Sequence, residues 1–469
     1  MQSSMFNVRV PLADRREVFL MNTFSDAQLI VSPDVVDLLD RLGEGTQLTP
    51  VERETVEQLS EHGFVVPSRD SEHADLREFF REVREGRDTL KVTVLTTLQC
   101  NFACDYCIQG DHGDYNKHAA KMSLDMASRV SEWIESRVDA IGCERLVLTF
   151  FGGEPLLNMP VLYYMAERLH AACAGRGVRF LINIITNGLL LSREMVERLN
   201  PLGLNGIKIT LDGDREAHNR SRPLRGGQGT FDRIIANTRA VADITSIAVG
   251  GNFEVDTAGS YPALLDFLAA QEFAPRLQKV TFKPVIREKS APKGIIPLTV
   301  VGSGGSEGKP LNGACMTTAG SGVSRACDSC DVVDEQMAYL REETKKRGFQ
   351  TADGVHMGPC EIHKSHAHTI GPDGSLFACP GFAGEALQSI GHIDGRTEAY
   401  RTQALRNFER LAAWEQCHDC AFIPVCAGGC TVAAHNELGD MHAPNCHKTS
   451  FLAGVAAMAR DAARDHATA

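Results

Sequence analysis

The chain has 469 residues, 43% hydrophobic and 23% charged, enough apolar material for two or three domains with substantial cores. Lysine and arginine number 48 against 60 acidic residues, a net charge of −12 that argues against wrapping nucleic acid or lying on an anionic membrane. No apolar run approaches the ~18 residues that cross a bilayer, and the opening MQSSMFNVRV lacks a signal-peptide core. The expectation is a soluble, cytoplasmic protein. Fifteen cysteines are the anomaly, because in a reducing compartment they serve metals or chemistry more readily than disulfides.

Residues 1–80 read as a small α+β unit. Strand-like runs at 6–12 and 17–22 and an apolar stretch at 27–31 precede helical patterns at 33–42 and 50–61 and a short run at 64–66. The charged stretch 69–87 reads as a linker helix. From residue 90, strand patterns at 90–98, 145–151, 179–185, 206–211, 246–255 and 279–285 alternate with helical patterns at 123–141, 159–174, 192–200, 230–242 and 260–271. That alternation predicts repeated βα units, hence a parallel sheet or partial barrel with functional groups at the C-terminal strand ends. Residues 286–330 break the pattern with VGSGGSEGKPLNG, expected as a flexible insertion, before a helix over 335–346. The last hundred residues are loop-rich and dense in cysteine up to an Ala-rich helix near 449–465, which suggests a domain held by metal.

The first strand of the alternating region ends in CNFACDYC, which places Cys100, Cys104 and Cys107 at C-x3-C-x2-C spacing. Composition alone yields roughly 0.015 such triplets in a chain like this. A structural zinc site usually takes four protein ligands, and His112 is the only imidazole close by. Three thiolates on a four-iron cluster leave one iron open to a small molecule.

With Tyr106 ahead of its last cysteine, this segment resembles the signature of the radical SAM superfamily. Further segments match in order on later strand ends. FFGGEPLL, with Gly152, Gly153, Glu154 and Pro155, is similar to the family's segment for the S-adenosylmethionine (SAM) amino group. IITNGLLL, with Thr186, Asn187 and Gly188, resembles its next strand end, and KITLDGDREAHNRSRPL, with Thr210, Asp212 and Arg222, its ribose and carboxylate segment. The resemblance covers 90–285 and implies a partial (β/α)6 TIM-like barrel that cleaves SAM reductively to a 5′-deoxyadenosyl radical. Glu154 offers an acceptor for the ammonium and Arg222 a donor fork for the carboxylate. An ordinary turn carboxylate is the plainer reading of Asp212.

Toward the C-terminus, Cys417, Cys420, Cys426 and Cys430 stand at C-x2-C-x5-C-x3-C, followed by Cys446, with Cys360 and Cys379 upstream. Four cysteines alone would suit a zinc ribbon; seven suit two clusters better. All seven resemble the motif of SPASM domains, which implies one auxiliary cluster on Cys417, Cys420, Cys426 and Cys446 and three ligands of another at Cys360, Cys379 and Cys430. Three [4Fe–4S] clusters are therefore expected in all. The fourth ligand of the last is either absent, leaving an open iron, or supplied by Cys315, Cys327 or Cys330. These three could equally bind a separate metal or act as a redox pair. Cys143 and Cys173 read as quiet helix residues. His363, His366 and His368 could ligate metal, but their alternation as on a strand favours a solvated or packed face, while His112 and Tyr115 could touch substrate.

Many SPASM enzymes modify ribosomally made peptides after an N-terminal domain captures the leader, and residues 1–80 look like a winged-helix, PqqD-like unit. The domain expectation is thus 1–80 for peptide recognition, 90–285 for the barrel, 286–350 for insertion and bridging helix, and 351–469 for the auxiliary clusters. The leading functional expectation is a maturase that installs a thioether or carbon–carbon cross-link, with a precursor peptide and an electron donor such as flavodoxin or ferredoxin as partners. Two alternatives are a sulfatase-maturase-like oxidase of Ser or Cys, weakened by Pro380 where such relatives carry an Asp, and a dehydrogenase of a small alcohol. A non-catalytic iron–sulfur or zinc scaffold explains the cysteines but not the segments between 150 and 222.

Overall fold

The computed structural model describes residues 1–13, 15–107, 119–286, 328–352, 354–356 and 358–468. The amino-terminal unit comprises β1 (Gln2–Ser3), β2 (Asn7–Pro11), β3 (Val18–Asn22), β4 (Gln28–Val31), α1 (Pro33–Arg41), α2 (Pro50–Glu61) and β5 (Val65–Val66). Strands β2, β3 and β4 form an antiparallel sheet, and β1 pairs antiparallel with β5. Thr49 and Glu52 close a reciprocal capping box that starts α2, with Pro50 in its first turn. Alternation along β3 sends Leu20 into a core with Leu38, Leu39, Val56 and Phe64. Phe19 and Met21 point the other way, onto Phe422, Val455 and Ala459 near the other end of the chain. Both faces of β3 are therefore covered. Helix α3 (Arg69–Glu85) follows, and its Phe80 ring stacks on Trp414 at 4.5 Å.

The central unit follows the predicted alternation. It runs β6 (Thr89–Thr97), α4 (Leu124–Ile141), β7 (Arg145–Gly152), α5 (Met159–Ala174), β8 (Arg179–Thr186), α6 (Arg193–Leu199), β9 (Leu204–Thr210), α7 (Arg215–Ser221), α8 (Phe231–Val241), β10 (Ile247–Phe253), α9 (Tyr261–Ala269) and β11 (Leu277–Pro284). The six strands are parallel and neighbour one another in sequence order, giving an α/β fold with a mostly parallel sheet. On one face Leu146, Leu148, Phe150, Ile182, Ile184, Ile207, Ile209 and Val249 pack against the helices. The opposite, helix-free face carries the alternate residues, and Leu95 and Phe151 there meet the C-terminal region through Phe377 and Phe382. Ser123 caps α4 and Gly142, left-handed at φ 68°, ends it. Helix α7 was not expected: it lies inside the segment assigned to SAM contact.

After α10 (Asp328–Lys346), β12 (Ala367–Ile370) adds parallel to β6, and β13 (Ser375–Phe377) and β14 (Gly391–His392) extend the sheet to nine strands. The chain continues through α11 (Ala399–Glu409), short helices α12 (Ile423–Cys426) and α13 (Thr431–Ala433), and α14 (Lys448–Thr468). His363 departs from its expected strand: it is buried in a short 3-10 turn at 361–363, its ring 6.5 Å from Phe80. His368 does lie on β12, edge-on to Trp133 at 5.2 Å. Cys173 is buried on α5, and Cys143 is buried just past the end of α4 rather than on it. No helix among the described residues is long and apolar enough to cross a membrane.

Candidate cofactor site at the strand ends

The three N-terminal cysteines follow the C-terminal end of β6, close enough to feel one another: Cys100 senses Cys104, and Cys104 senses Cys107. Burial pushes the Cys100 thiol up to about 12 and raises that of Cys104 as well. Thiols held neutral by burial give up their protons when they bind a metal.

The root of this loop explains the paired glycines. Gly153 N–H donates to Thr97 O at 2.9 Å and Glu154 N–H to Gln99 O at 2.8 Å. A Cβ on Gly152 would stand 2.2 Å from Thr97 O, and one on Gly153 2.2 Å from Gln99 O. Gly152 also adopts φ 134°, open to glycine alone. The two glycines thus let the end of β7 lie against the backbone that launches the cysteine loop.

Glu154 is fully buried. Its carboxylate accepts from Leu156 N–H at 3.0 Å, from the Thr186 hydroxyl at 2.7 Å and from Asn187 N–H at 2.8 Å. Burial raises its pKa, while the hydrogen bond from Asn187 N–H works in the opposite direction. The carboxylate expected to receive an ammonium therefore first ties the ends of β7 and β8 together, and Pro155 opens the short turn that follows it. Asn187 completes the tie. Its side-chain N–H donates to Asn101 Oδ1 at 2.8 Å, beside Cys100.

Past the end of β9, Asp212 is buried, whereas the plainer reading made it an ordinary turn carboxylate. Its Oδ2 accepts from the Tyr106 hydroxyl and lies 3.5 Å from Arg222 Nη1, and its Oδ1 accepts from Asn252 N–H at 2.7 Å. Arg222 also donates to the Tyr106 hydroxyl at 2.5 Å, with its guanidinium carbon 5.6 Å from the centre of the Phe102 ring. The donor fork predicted for a carboxylate thus faces Asp212 and Tyr106, while its buried Nε–H has no hydrogen-bond partner. Thr210 ends β9 one step before this knot, half-buried.

Sequence reading missed two residues that hold the knot. His218 on α7 accepts from Asp212 N–H through Nδ1 at 3.1 Å, so its Nε2 carries the hydrogen toward Thr230 Oγ1 at 3.0 Å. Thr230 in turn donates to Arg222 O at 2.9 Å. Burial, with the Arg222 charge nearby, lowers the His218 pKa to about 3. Asn252 on β10 is the other, donating to the Tyr106 hydroxyl at 3.3 Å. A polar residue on an otherwise apolar strand was its only signal.

Two further thiol groups form near the C-terminus. Cys417, Cys420, Cys426 and Cys446 line one small, almost wholly apolar cavity with Phe422, Pro444 and Phe451. Burial pushes Cys417 and Cys426 up to about 12. Cys360, Cys379 and Cys430 gather separately: Cys379 senses both others, and burial raises it to about 12. Among the described residues no three Cys, His, Asp or Glu side chains close around a single ion. All-thiol groups around a shared space have the donor chemistry that iron–sulfur clusters take. His112, Tyr115, Cys315 and Cys327, with the Gly/Ser-rich stretch, fall outside the described residues, as does the side chain of Cys330.

Residues 94–255 match the radical SAM superfamily. Over 185 residues the chain is 28% identical to the Fe-coproporphyrin III synthase of Methanosarcina barkeri, covering 39% of this chain and 41% of that one. Over 162 residues it is 31% identical to the GTP 3′,8-cyclase of Synechococcus sp. (strain CC9605), covering 34% and 43%. The chain thus spans about two fifths of the length of these curated relatives. In fold it is similar to anSMEcpe with bound AdoMet, at TM-score 0.54 and 13% identity over 79% of this chain and 98% of that one. The matched segment holds the cysteine triplet, Glu154 and the Asp212 knot, so the chain carries a radical SAM domain.

Proposed function

We propose that this radical SAM enzyme modifies a ribosomally synthesised precursor peptide, closing a thioether or carbon–carbon cross-link. In this reading residues 1–80 hold the leader in a PqqD-like manner, 90–285 form the SAM-cleaving barrel, 286–350 insert and bridge, and 351–469 form a SPASM domain. The observation that supports it most is a groove of about 1090 Å³ beside strand β2, between Val10–Ala13 and the faces of α10 and α14 around Lys345, Ala456 and Arg460. Among the described residues β2 pairs only with β3, leaving its outer backbone groups available to an added strand.

Cys100, Cys104 and Cys107 would hold the first cluster. Glu154 and Asn187 fix the loop beside it, and Tyr106, Asp212 and Arg222 shape the far wall with Thr210. Bound there, SAM and the cluster would supply the radical chemistry for hydrogen abstraction. Arg222 remains charged at the wall, where its free Nε–H offers one donor to a bound carboxylate. Phe102 and Leu156 keep water from the loop root. Cys417, Cys420, Cys426 and Cys446, with Cys360, Cys379 and Cys430, would hold two auxiliary clusters able to take the electron released as the bond closes. Flavodoxin or ferredoxin is the donor class we expect, in the cytoplasm. The Ser/Cys oxidase reading is weaker because Pro380, directly after Cys379, offers no base. The curated relatives match over 39% and 34% of this chain, and their substrates are not carried over.

The test is anaerobic turnover of reconstituted protein with SAM and dithionite, with and without candidate precursor peptides drawn from small reading frames beside the gene. A product lighter by two hydrogen atoms, absent for Cys100→Ala/Cys104→Ala/Cys107→Ala, supports the reading. Deoxyadenosine formation with no change in any such peptide counts against it.

A further inference from the structure

Lys208 stands on β9 between Ile207 and Ile209, both buried in the helix-packed core, so its side chain leaves from the helix-free face. On β10 the same face belongs to Ala248, Gly250 and Asn252; Gly251 faces Tyr261 of α9 instead. A Cβ on Gly250 would lie 2.4 Å from Lys208 Cε and 3.1 Å from its Nζ. The lysine therefore leans over the bare glycine, from the row it shares with Ala248 toward the C-terminal strand ends. On β11, Lys279 pairs across from Ala248 and Lys283 from Asn252, which puts both on this face. The charges facing Lys208 are those of Lys283 and Lys279, and with burial, the larger cause, they lower its pKa to about 8. Among the described residues no carboxylate lies within ion-pair distance of any of the three.

The row of Asn252 and Lys283 is the row of the Tyr106 hydroxyl, which Asn252 contacts. Lys283 also lies within electrostatic reach of Cys360 and Cys379. Lys283 thus stands on the row of the knot and within reach of the second thiol group, with Lys208 and Lys279 on the same face nearer the N-terminal strand ends. Lys279 and Lys283 are exposed and Lys208 is partly buried, so the cost of desolvating a cation falls on Lys208 and is offset when an anion joins it. We propose that Lys208, with Lys279 and Lys283, receives a carboxylate of the substrate, and so positions the neighbouring carbon for hydrogen abstraction. This rests on the peptide reading, under which the carboxylate is either an Asp or Glu side chain or the peptide's C-terminus.

The test is saturation-transfer NMR of small probes on the reconstituted holoprotein with SAM. N-acetyl-glutamate N′-methylamide stands for a side-chain carboxylate, N-acetyl-glycine for a C-terminus, and N-acetyl-glutamine N′-methylamide is the neutral control. At least one carboxylate probe should bind tenfold or more tightly than the control, and the probe that does so names the source. Lys208→Met should abolish that preference, and Lys208→Arg should keep it within about threefold. Should Lys208→Met fail to fold, the Lys279→Met/Lys283→Met variant is judged by the same criterion. Equal binding of all three probes, or a preference unchanged in a folded, iron-replete variant, overturns the proposal. Carboxylate binding lost on substitution, beside a failure to modify any peptide, would overturn the peptide reading and leave the anion site standing.

Discussion

Tyr106 donates its hydroxyl hydrogen to Asp212, a residue 106 positions later, and so fastens the last turn of the cysteine loop to the end of β9. Arg222 and Asn252 converge on the same hydroxyl. Loop and strand ends are thereby one unit: whatever sits on the three thiols is positioned by the sheet.

Tyr106→Phe keeps the ring and removes the shared hydroxyl, leaving Arg222 and Asp212 facing each other at 3.5 Å. A hydrogen bond to a charged group contributes about 1.5–3 kcal/mol. The expected outcome is unchanged iron content with SAM affinity about tenfold weaker or more, read by calorimetric titration. Wild-type affinity in this variant would show that the knot does not organise the pocket.

Gly153→Ala forces a methyl group into the Gln99 carbonyl, an overlap with backbone that cannot swing aside. The strand end must retreat and the cysteine loop with it. We expect the variant to lose the first cluster while keeping the C-terminal ones, so iron and labile sulfide fall by roughly a third. Full iron content would mean that the loop does not depend on this contact.

His218 gives the stability a pH dependence with a definite sign. Its folded-state pKa of about 3 lies below its ordinary value, so between the two the unfolded chain binds the extra proton. Stability is therefore fully present above pH 6.5 and lost as pH falls toward 3. From pH 7.5 to 5.5 the loss from this group is about 1.4 kcal/mol. His218→Asn can still accept from Asp212 N–H but does not titrate. Unfolding free energies from denaturant titrations at the two pH values should differ less in the variant than in wild type by that amount.

Iron removal should loosen one region and spare another. The cavity lined by Cys417, Cys420, Cys426 and Cys446 sits under Phe422, which stacks on Phe451 of α14 at 5.3 Å. Chelation should accelerate hydrogen exchange across 417–455, while β6–β11, packed on their own helices, stay protected. Uniform deprotection of the whole chain would mean that the two regions unfold together.

Ala456→Trp would fill the groove beside β2. Under the proposed reading it weakens modification of a leader-bearing peptide by tenfold or more, yet leaves deoxyadenosine formation without peptide unchanged. Equal loss of both activities would move the groove's role from recognition to folding.

The sequence by itself determined the periodic elements and the chemistry of their ends. From β6 to β11 each strand lies within a few residues of its predicted span, because apolar alternation on a half-buried strand and helical spacing between strands leave one arrangement that buries both. The C-x3-C-x2-C triplet and the all-cysteine C-terminal sets were legible for the same local reason: ligand type and spacing are written in consecutive residues. The tertiary structure decided what depends on distant chain segments meeting. Nothing local announces that β12 would extend the sheet beside β6, or that both faces of β3 would be covered. The fates of Glu154 and Asp212 were equally hidden, since a carboxylate's partners are fixed by the packing of several strand ends. Lys208 is the sharpest case. As a letter it is one of 48 basic residues; only the bare Gly250 on the next strand and two lysines on the strand beyond make it a half-buried cation that, among the described residues, has no carboxylate within ion-pair distance.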